Sequence, residues 1–229
     1  MSFGPNMIKI AHRGYCVPSN GYHHRYKDNS VESISNAIHN RFDMIEIDIQ
    51  LCKTGEIVLT HNDKIDGLYV KDTDYKVLKK LNIITLEDFY DIIGIHKIKI
   101  YLDVKGKDIE IANKLLTFIN MYNIDLEYLY IGSFNRKILH ILNIAPINLK
   151  LGYITDNIYT TKELDLMTYG LEFLSIYWKM IDEDTYKYCK NKNIKVFLWT
   201  LDNTKYLHDF YKLKNLCDGI VTNVNFTKL

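Results

Sequence analysis

The chain has 229 residues, of which 47% are hydrophobic, and its 29 basic side chains nearly cancel its 28 acidic ones. That hydrophobic content excludes a disordered chain, and the length suits one large domain with a single core, an ordinary size for an α/β barrel. The balanced charge, with no basic block interleaved with aromatics, argues against nucleic acid as the partner, and no apolar run approaches a transmembrane span.

Met1–Asn6 is expected to be a loose leader, with residues 7–229 forming a single barrel domain. Met7–Ala11 reads as a first strand that closes on His12-Arg13-Gly14. His23 and His24 follow in a long loop. Neighbouring residues diverge, so these two are expected to be solvated histidines and not a metal pair. Ser30–Arg41 is the first amphipathic helix. Met44–Leu51 is the second strand, and on it Glu46 and Asp48, two residues apart, point to one side while Ile45, Ile47 and Ile49 fill the other.

After this strand the chain turns at Lys53-Thr54-Gly55-Glu56, and Ile57–Thr60 reads as a strand folding back. With Thr54 and Gly55 as the two turn residues, the register places His61 opposite Asp48. Thr85, followed by Glu87 and Asp88, caps a helix over Leu86–Ile93. Further strands are expected at Ile98–Val104, Tyr128–Phe134, Leu149–Ile154, Phe173–Tyr177, Lys195–Thr200 and Gly219–Thr222. Between them fall helices at Ile109–Tyr122, Arg136–Ile144, Thr161–Thr168, Asp182–Asn191 and Thr204–Leu213. Eight strands separated by helices predict a (β/α)8 TIM barrel, α/β in class, with a β-hairpin extension after the second strand.

Residues that end barrel strands face the mouth where barrel enzymes do chemistry. Two carboxylates there repel in low dielectric unless a cation joins them. A Glu-x-Asp pair alone is most often a solvated strand edge. Asp103 on the next barrel strand adds a third carboxylate, and Lys105 lies on the same side two residues on. Glu46, Asp48 and Asp103 are therefore the candidate ligands of one hard divalent cation, Mg²⁺ or Ca²⁺. Arg13 suits bidentate phosphate binding and Lys105 suits a phosphate oxygen. His12 and His61 would flank the site as a general acid and a general base, with the residues leaving open which is which. Trp199 is either a stacking wall for the alcohol portion or barrel core, and Trp178 with Lys179 admits the same two readings. Asp202 and Asn223 complete the mouth. The four cysteines, Cys16, Cys52, Cys189 and Cys217, sit far apart and are expected to be free thiols of a reducing, cytoplasmic compartment. No charged-then-apolar signal pattern opens the chain.

These residues together resemble the glycerophosphodiester phosphodiesterase family, within the superfamily that also holds sphingomyelinase D-type phospholipases. His12-Arg13-Gly14 is similar to the family's opening triplet, and Asp28-Asn29-Ser30 stands where the family has Glu-Asn-Thr. The stretches 45–51, 53–55 and 58–61 follow the family's alternating carboxylate pattern and its returning histidine, and Thr85-Leu86-Glu87-Asp88 resembles a further motif. Ser133-Phe134, Trp199-Thr200 and 218–222 recur late in the family in that order. The resemblance implies hydrolysis of glycerophosphodiesters to glycerol 3-phosphate and an alcohol. It assigns metal to Glu46, Asp48 and Asp103, proton transfer to His12 and His61, and phosphate to Arg13 and Lys105. The chain departs from the pattern at Asp28 and Asp103, each one methylene shorter than the usual glutamate. It departs also at Asn62, which follows His61, and at Asn223, where aspartate is commoner. The alternatives are phospholipase D-like cleavage of lysophospholipids or sphingomyelin, and a degenerate barrel that binds a phosphodiester without cutting it.

Overall fold

The short β-branched runs become strands and the amphipathic stretches between them become helices. The structure, a computed structural model, describes residues 7–16, 26–94, 96–201 and 207–224. The first half of the chain runs β1 (Ile8–Ala11), α1 (Val31–His39), β2 (Met44–Leu51), β3 (Ile57–Leu59), β4 (Lys64–Ile65), β5 (Leu68–Tyr69), α2 (Tyr75–Leu78), α3 (Leu86–Ile93), β6 (Lys99–Val104) and α4 (Glu110–Met121). The second half runs β7 (Leu129–Ser133), α5 (Arg136–Asn143), β8 (Lys150–Thr155), α6 (Thr161–Met167), β9 (Phe173–Tyr177), α7 (Glu183–Asn191), β10 (Lys195–Leu201), α8 (Leu207–Leu213) and β11 (Gly219–Thr222). The expected leader, Met1–Asn6, and the loop bearing His23 and His24 lie outside the described residues.

Eight of these strands, β1, β2 and β6 to β11, pair in parallel with their neighbours, and β1 joins both β2 and β11 to close the ring. The fold is a TIM barrel, as the spacing predicts. Helix starts follow their caps: Thr85 accepts from the Asp88 N–H while Asp88 accepts from the Thr85 N–H, and Ser30 and Ser33 form the same reciprocal pair ahead of α1. Helices α1 and α3 to α5 lay their apolar stripes on the outer face of the strands. On α4 that stripe is Ile111, Ala112, Leu115, Phe118 and Ile119.

Alternation along the strands divides the barrel wall. Ile45, Ile47 and Ile49 face the helices, while Met44 joins Ile10, Tyr101, Tyr130, Phe173 and Phe197 in an interior cluster. Tyr101 meets Phe173 edge to face with centroids 5.3 Å apart, and Phe173 and Phe197 are tilted by 36° with centroids 5.1 Å apart. They fit because neighbouring strands supply no side chain where the rings lie. A Cβ on Gly152 would stand 2.2 Å from the Phe173 ring, and one on Gly132 would stand 2.8 Å from Tyr101. The aromatic plug fills the lower barrel. The polar residues of the same strands, one step further along, are left to the upper end.

The hairpin after β2 differs from its expected register by one residue. Leu51 pairs with Ile57, and the Cys52 N–H donates to the Glu56 carbonyl at 3.1 Å. The loop is therefore the three residues Lys53-Thr54-Gly55, with Gly55 at φ 92°, and Thr60 takes the place opposite Asp48, donating its N–H to the Asp48 carbonyl at 3.1 Å. A three-residue hairpin loop needs its last residue in the left-handed region, which a glycine accepts without cost. Beyond β3 the segment forms the β4–β5 hairpin and α2. Val58, Val70, Leu78, Ile83 and Cys52 make a small satellite core there.

The Gly152–Phe173 approach yields a direct test. Gly152→Ala is expected to lower unfolding stability by about 1–3 kcal/mol through overpacking, read by urea denaturation. The double variant Gly152→Ala/Phe173→Leu is expected to recover part of that loss. An unchanged midpoint in the single variant would contradict the packing described.

Candidate active site

The barrel wall parts at β1 and β2, and the candidate site forms in that opening. β1 pairs only with the lower end of β2, Ile10 with Met44 and Ala11 with Ile45. Along the upper end of β2 the antiparallel partner is β3, at Ile49, Gln50 and Leu51. The chain leaving β1 bends away as Gly14 donates its N–H to the Glu46 carbonyl. His12 and Arg13 thus enter from one side of the gap and His61 from the other.

The bend needs Gly14. Its φ is 77°, and a Cβ would fall 2.4 Å from Ser33 Oγ, so no other residue fits between the turn and α1. Ser33 Oγ donates to the Arg13 carbonyl, and Asn29 donates its N–H to the same oxygen. Arg13 itself sits at φ 54° and Asn29 at φ 56°, conformations that persist because the surrounding hydrogen bonds hold them. The start of α1 is therefore stitched to the end of β1.

Asp48 is the meeting point. It is 1% exposed. Its Oδ2 accepts from Asn29 Nδ2 at 2.9 Å and lies 3.3 Å from Arg13 Nε, while its Oδ1 lies 3.0 Å from Lys105 Nζ. Asn29 Oδ1 accepts the Asp48 N–H at 3.0 Å, so the two residues clasp each other. Burial pushes the Asp48 carboxyl up, but Lys105 and Arg13 outweigh it and hold the group below its ordinary value. Arg13 also pairs with Asp28 at 2.8 Å, and against its own burial Asp28 too is held low by that guanidinium.

The register of β2 and β6 sets Asp48 beside Asp103 and Glu46 beside Tyr101. Glu46, Asp48 and Asp103 each offer an oxygen within 4.8 Å of the others'. Lys105 Nζ also bonds Asp103 Oδ2, leaving Asp103 Oδ1 buried without a partner. Glu46 Oε2 accepts the Arg13 N–H at 2.7 Å. Burial, then the neighbouring acids Asp48 and Asp103, push Glu46 well above the usual carboxylate range. Burial likewise raises Asp103 to about 6, against the pull of Lys105. The group is thus short of positive charge: Arg13 and Lys105 face Glu46, Asp48, Asp103 and Asp28. An all-oxygen set of three carboxylates with one oxygen unpartnered fits a hard divalent cation.

All eight residues singled out from the sequence, His12, Arg13, Glu46, Asp48, His61, Asp103, Lys105 and Trp199, line one cleft of about 170 Å³. His61 reaches it by a different route from the one expected. Gln50, on the site-facing side of β2, sets its Nε2 3.0 to 3.1 Å from the carbonyls of Thr60, His61 and Asn62, which share its two hydrogens, and this clasp takes the place of a ladder pair with Asp48. Trp199 donates Nε1–H to the Ser175 carbonyl at 3.2 Å and stands edge-on to Phe134, whose ring lies 5.7 Å from Lys105 Nζ. Trp199 also packs on the interior aromatic cluster, as its barrel-core reading expects, and its exposed side lines the cleft. Trp178 packs on the outer core with Lys179 over its ring, away from the cleft. Asp202 lies outside the described residues. Asn223 stands 3.0 Å from His12 Nδ1.

Positioning residues carry no sequence signal of their own. Gln50 and Ser33 look like ordinary strand and helix polars, and only the carbonyls they reach mark them. Asn29 had one signal, its place between Asp28 and the capping Ser30.

A family model described as Glycerophosphoryl diester phosphodiesterase family matches residues 20–225. A glycerophosphodiester phosphodiesterase of Caldanaerobacter subterraneus is 26% identical over 240 aligned positions, covering 94% of this chain and 93% of that protein. Among solved structures, a glycerophosphodiester phosphodiesterase from Parabacteroides distasonis superposes with a TM-score of 0.81 at 21% identity, covering 95% of this chain and 93% of its own. An Oleispira antarctica phosphodiesterase in complex with the product sn-glycerol-3-phosphate superposes with a TM-score of 0.77 at 19% identity, covering 94% and 92%. With a barrel whose mouth gathers carboxylates, cations and imidazoles, and a family match along most of its length, the chain belongs to the glycerophosphoryl diester phosphodiesterase family and is a phosphoric diester hydrolase.

Proposed function

We propose that this protein hydrolyses glycerophosphodiesters to glycerol 3-phosphate and an alcohol, by acid–base catalysis at His12 and His61 beside a divalent cation. The observation that carries the proposal is the convergence of two imidazoles, Arg13 and Lys105 on the three-carboxylate group in one cleft. Glu46, Asp48 and Asp103 would hold the cation, Mg²⁺ or Ca²⁺. When bound, it supplies Lewis-acid stabilisation of charge on the phosphoryl oxygens.

The chain's own groups divide the remaining work. Arg13, steadied by Asp28 and Asp48, keeps its guanidinium at the cleft for a phosphate oxygen. Lys105, whose charged form burial opposes but Asp103 and Asp48 favour, stays protonated and adds a second positive contact. Burial, with Arg13 alongside, lowers His12 to about 3, so its imidazole is neutral at working pH. Trp199 and Phe134 wall the side of the cleft where the alcohol portion would lie. The four cysteines are buried free thiols, which favours a reducing, cytoplasmic compartment. Among the described residues no helix is long and apolar enough to cross a membrane.

His12→Ala and His61→Ala are each expected to abolish release of glycerol 3-phosphate from glycerophosphocholine, followed by ³¹P NMR, with the circular dichroism spectrum unchanged. Retained turnover in both variants would overturn the proposal, and a cyclic phosphate as the final product would transfer it to the phospholipase D-like alternative.

The carboxylates predict a pH dependence as well. Asp103 has a folded pKa of about 6 against an ordinary 3.8. Its contribution to metal-free stability is present below the unfolded value and is lost as pH rises through about 6. Glu46 acts in the same sense, whereas the lowered Asp48 acts in the opposite one. A bound cation needs these groups ionised. The rise in melting temperature on adding Mg²⁺ or Ca²⁺ is therefore expected to be larger at pH 8 than at pH 5, and to vanish in Asp103→Asn. An equal rise at both values would count against this site.

A further inference from the structure

The two histidines of the cleft meet opposite partners at Nδ1. On His12 that atom lies 3.0 Å from Asn223 Nδ2. On His61 it lies 3.1 Å from Asn62 Oδ1. An amide nitrogen only donates and an amide oxygen only accepts. An unprotonated Nδ1 on His12, with the ring hydrogen on Nε2, matches the donor it faces, whereas Nδ1–H on His61, with the lone pair on Nε2, matches the acceptor it faces. Among the described residues nothing else hydrogen-bonds the His12 ring, so Nε2 is free for a ligand in the cleft it lines.

Asn223 arrives at this position by register. β11 pairs with β1 so that Thr222 lies beside Ala11, and the His12 N–H donates to the Thr222 carbonyl at 3.1 Å. The residues that follow the two strands therefore leave the barrel side by side. Thr222 Oγ1 accepts the Val224 N–H at 2.9 Å and fixes the turn. Asn223 is 3% exposed, and its Oδ1 is buried without a partner. Turning the amide over would bring Oδ1 to His12 but bury the NH₂ group in that unpartnered place. An orphaned carbonyl oxygen is tolerated more readily than orphaned N–H donors, so the orientation with Nδ2 toward His12 is favoured.

We infer that Asn223 is a positioning residue that holds His12 in its Nε2–H tautomer, so that His12 presents a hydrogen-bond donor to the substrate oxygens and proton uptake falls to Nε2 of His61. The inference rests on the proposed phosphodiesterase reading for its catalytic meaning, but the tautomer can be read without turnover. A neutral imidazole fixed by its second nitrogen is an established way to present a donor to developing negative charge.

The test is ¹H–¹⁵N NMR of uniformly labelled protein near neutral pH, with Mg²⁺ present and again with chelator. The His12 signals are assigned by their absence in His12→Gln. In the wild-type protein Nε2 is expected to be the protonated nitrogen of His12 and Nδ1 the bare one. In Asn223→Asp the carboxylate accepts from Nδ1–H, and the pattern is expected to reverse. The same substitution is expected to act on kcat for glycerophosphocholine while KM changes little, since what it alters is proton placement and not binding. A wild-type His12 already protonated on Nδ1 would overturn the inference even if the variant failed to fold. An unchanged tautomer in a folded Asn223→Asp would overturn it too, as would a loss confined to KM. No turnover in the wild type with the expected tautomer exchange intact would instead sink the proposed activity and leave the positioning role standing.

Discussion

A buried carboxylate must be paired, and Asp48 meets that requirement by drawing three separate parts of the chain to one point. Its oxygens are claimed by Asn29 from the start of α1, Arg13 from the end of β1 and Lys105 from the end of β6. Leaving such a charge unpaired in the interior would cost several kcal/mol. The turn at Gly14 and the left-handed backbone at Arg13 and Asn29 bring those partners to it where β1 parts from β2. Arg13 and Lys105 are thereby held in place by the protein's own carboxylates, and on the proposed reading that preorganisation would lower the cost of stabilising charge in a transition state.

The same pairing leaves a deficit that the protein itself does not fill. Lys105 spans Asp48 and Asp103, yet Asp103 Oδ1 has no partner and Glu46 is driven toward its protonated form by its acidic neighbours. A folded protein ordinarily avoids such a group. Here it sits above an aromatic plug that is fully packed, in a mouth open enough to admit a cation. Packing below and charge deficit above are consequences of one strand alternation: Met44 and Tyr101 fill the barrel while Glu46, Asp48 and Asp103, further along the same faces, cannot.

Positioning falls mostly to side-chain amides. Asn29 clasps Asp48, Gln50 holds the carbonyls around His61, and Asn223 faces His12. An amide can both donate and accept without carrying charge, so it orders neighbours without adding to an already acidic site.

Sequence alone determined the barrel and the contents of its mouth, because strand and helix periods are local properties. Residues two apart on a strand share a face whatever the rest of the chain does, which is why Glu46, Asp48, Asp103 and Lys105 could be grouped before any coordinates. The route of His61 could not be read that way. A hairpin loop of two residues or three turns on one glycine's φ and on which carbonyl Cys52 bonds, and that one-residue difference moved Thr60 opposite Asp48. Nor could the sequence say which group would face Nδ1 of His12. That depends on contacts between residues far apart in the chain, Asn223 beside His12, which exist only once β11 has closed the barrel on β1. Local chemistry chose the parts, and ring closure decided how they face one another.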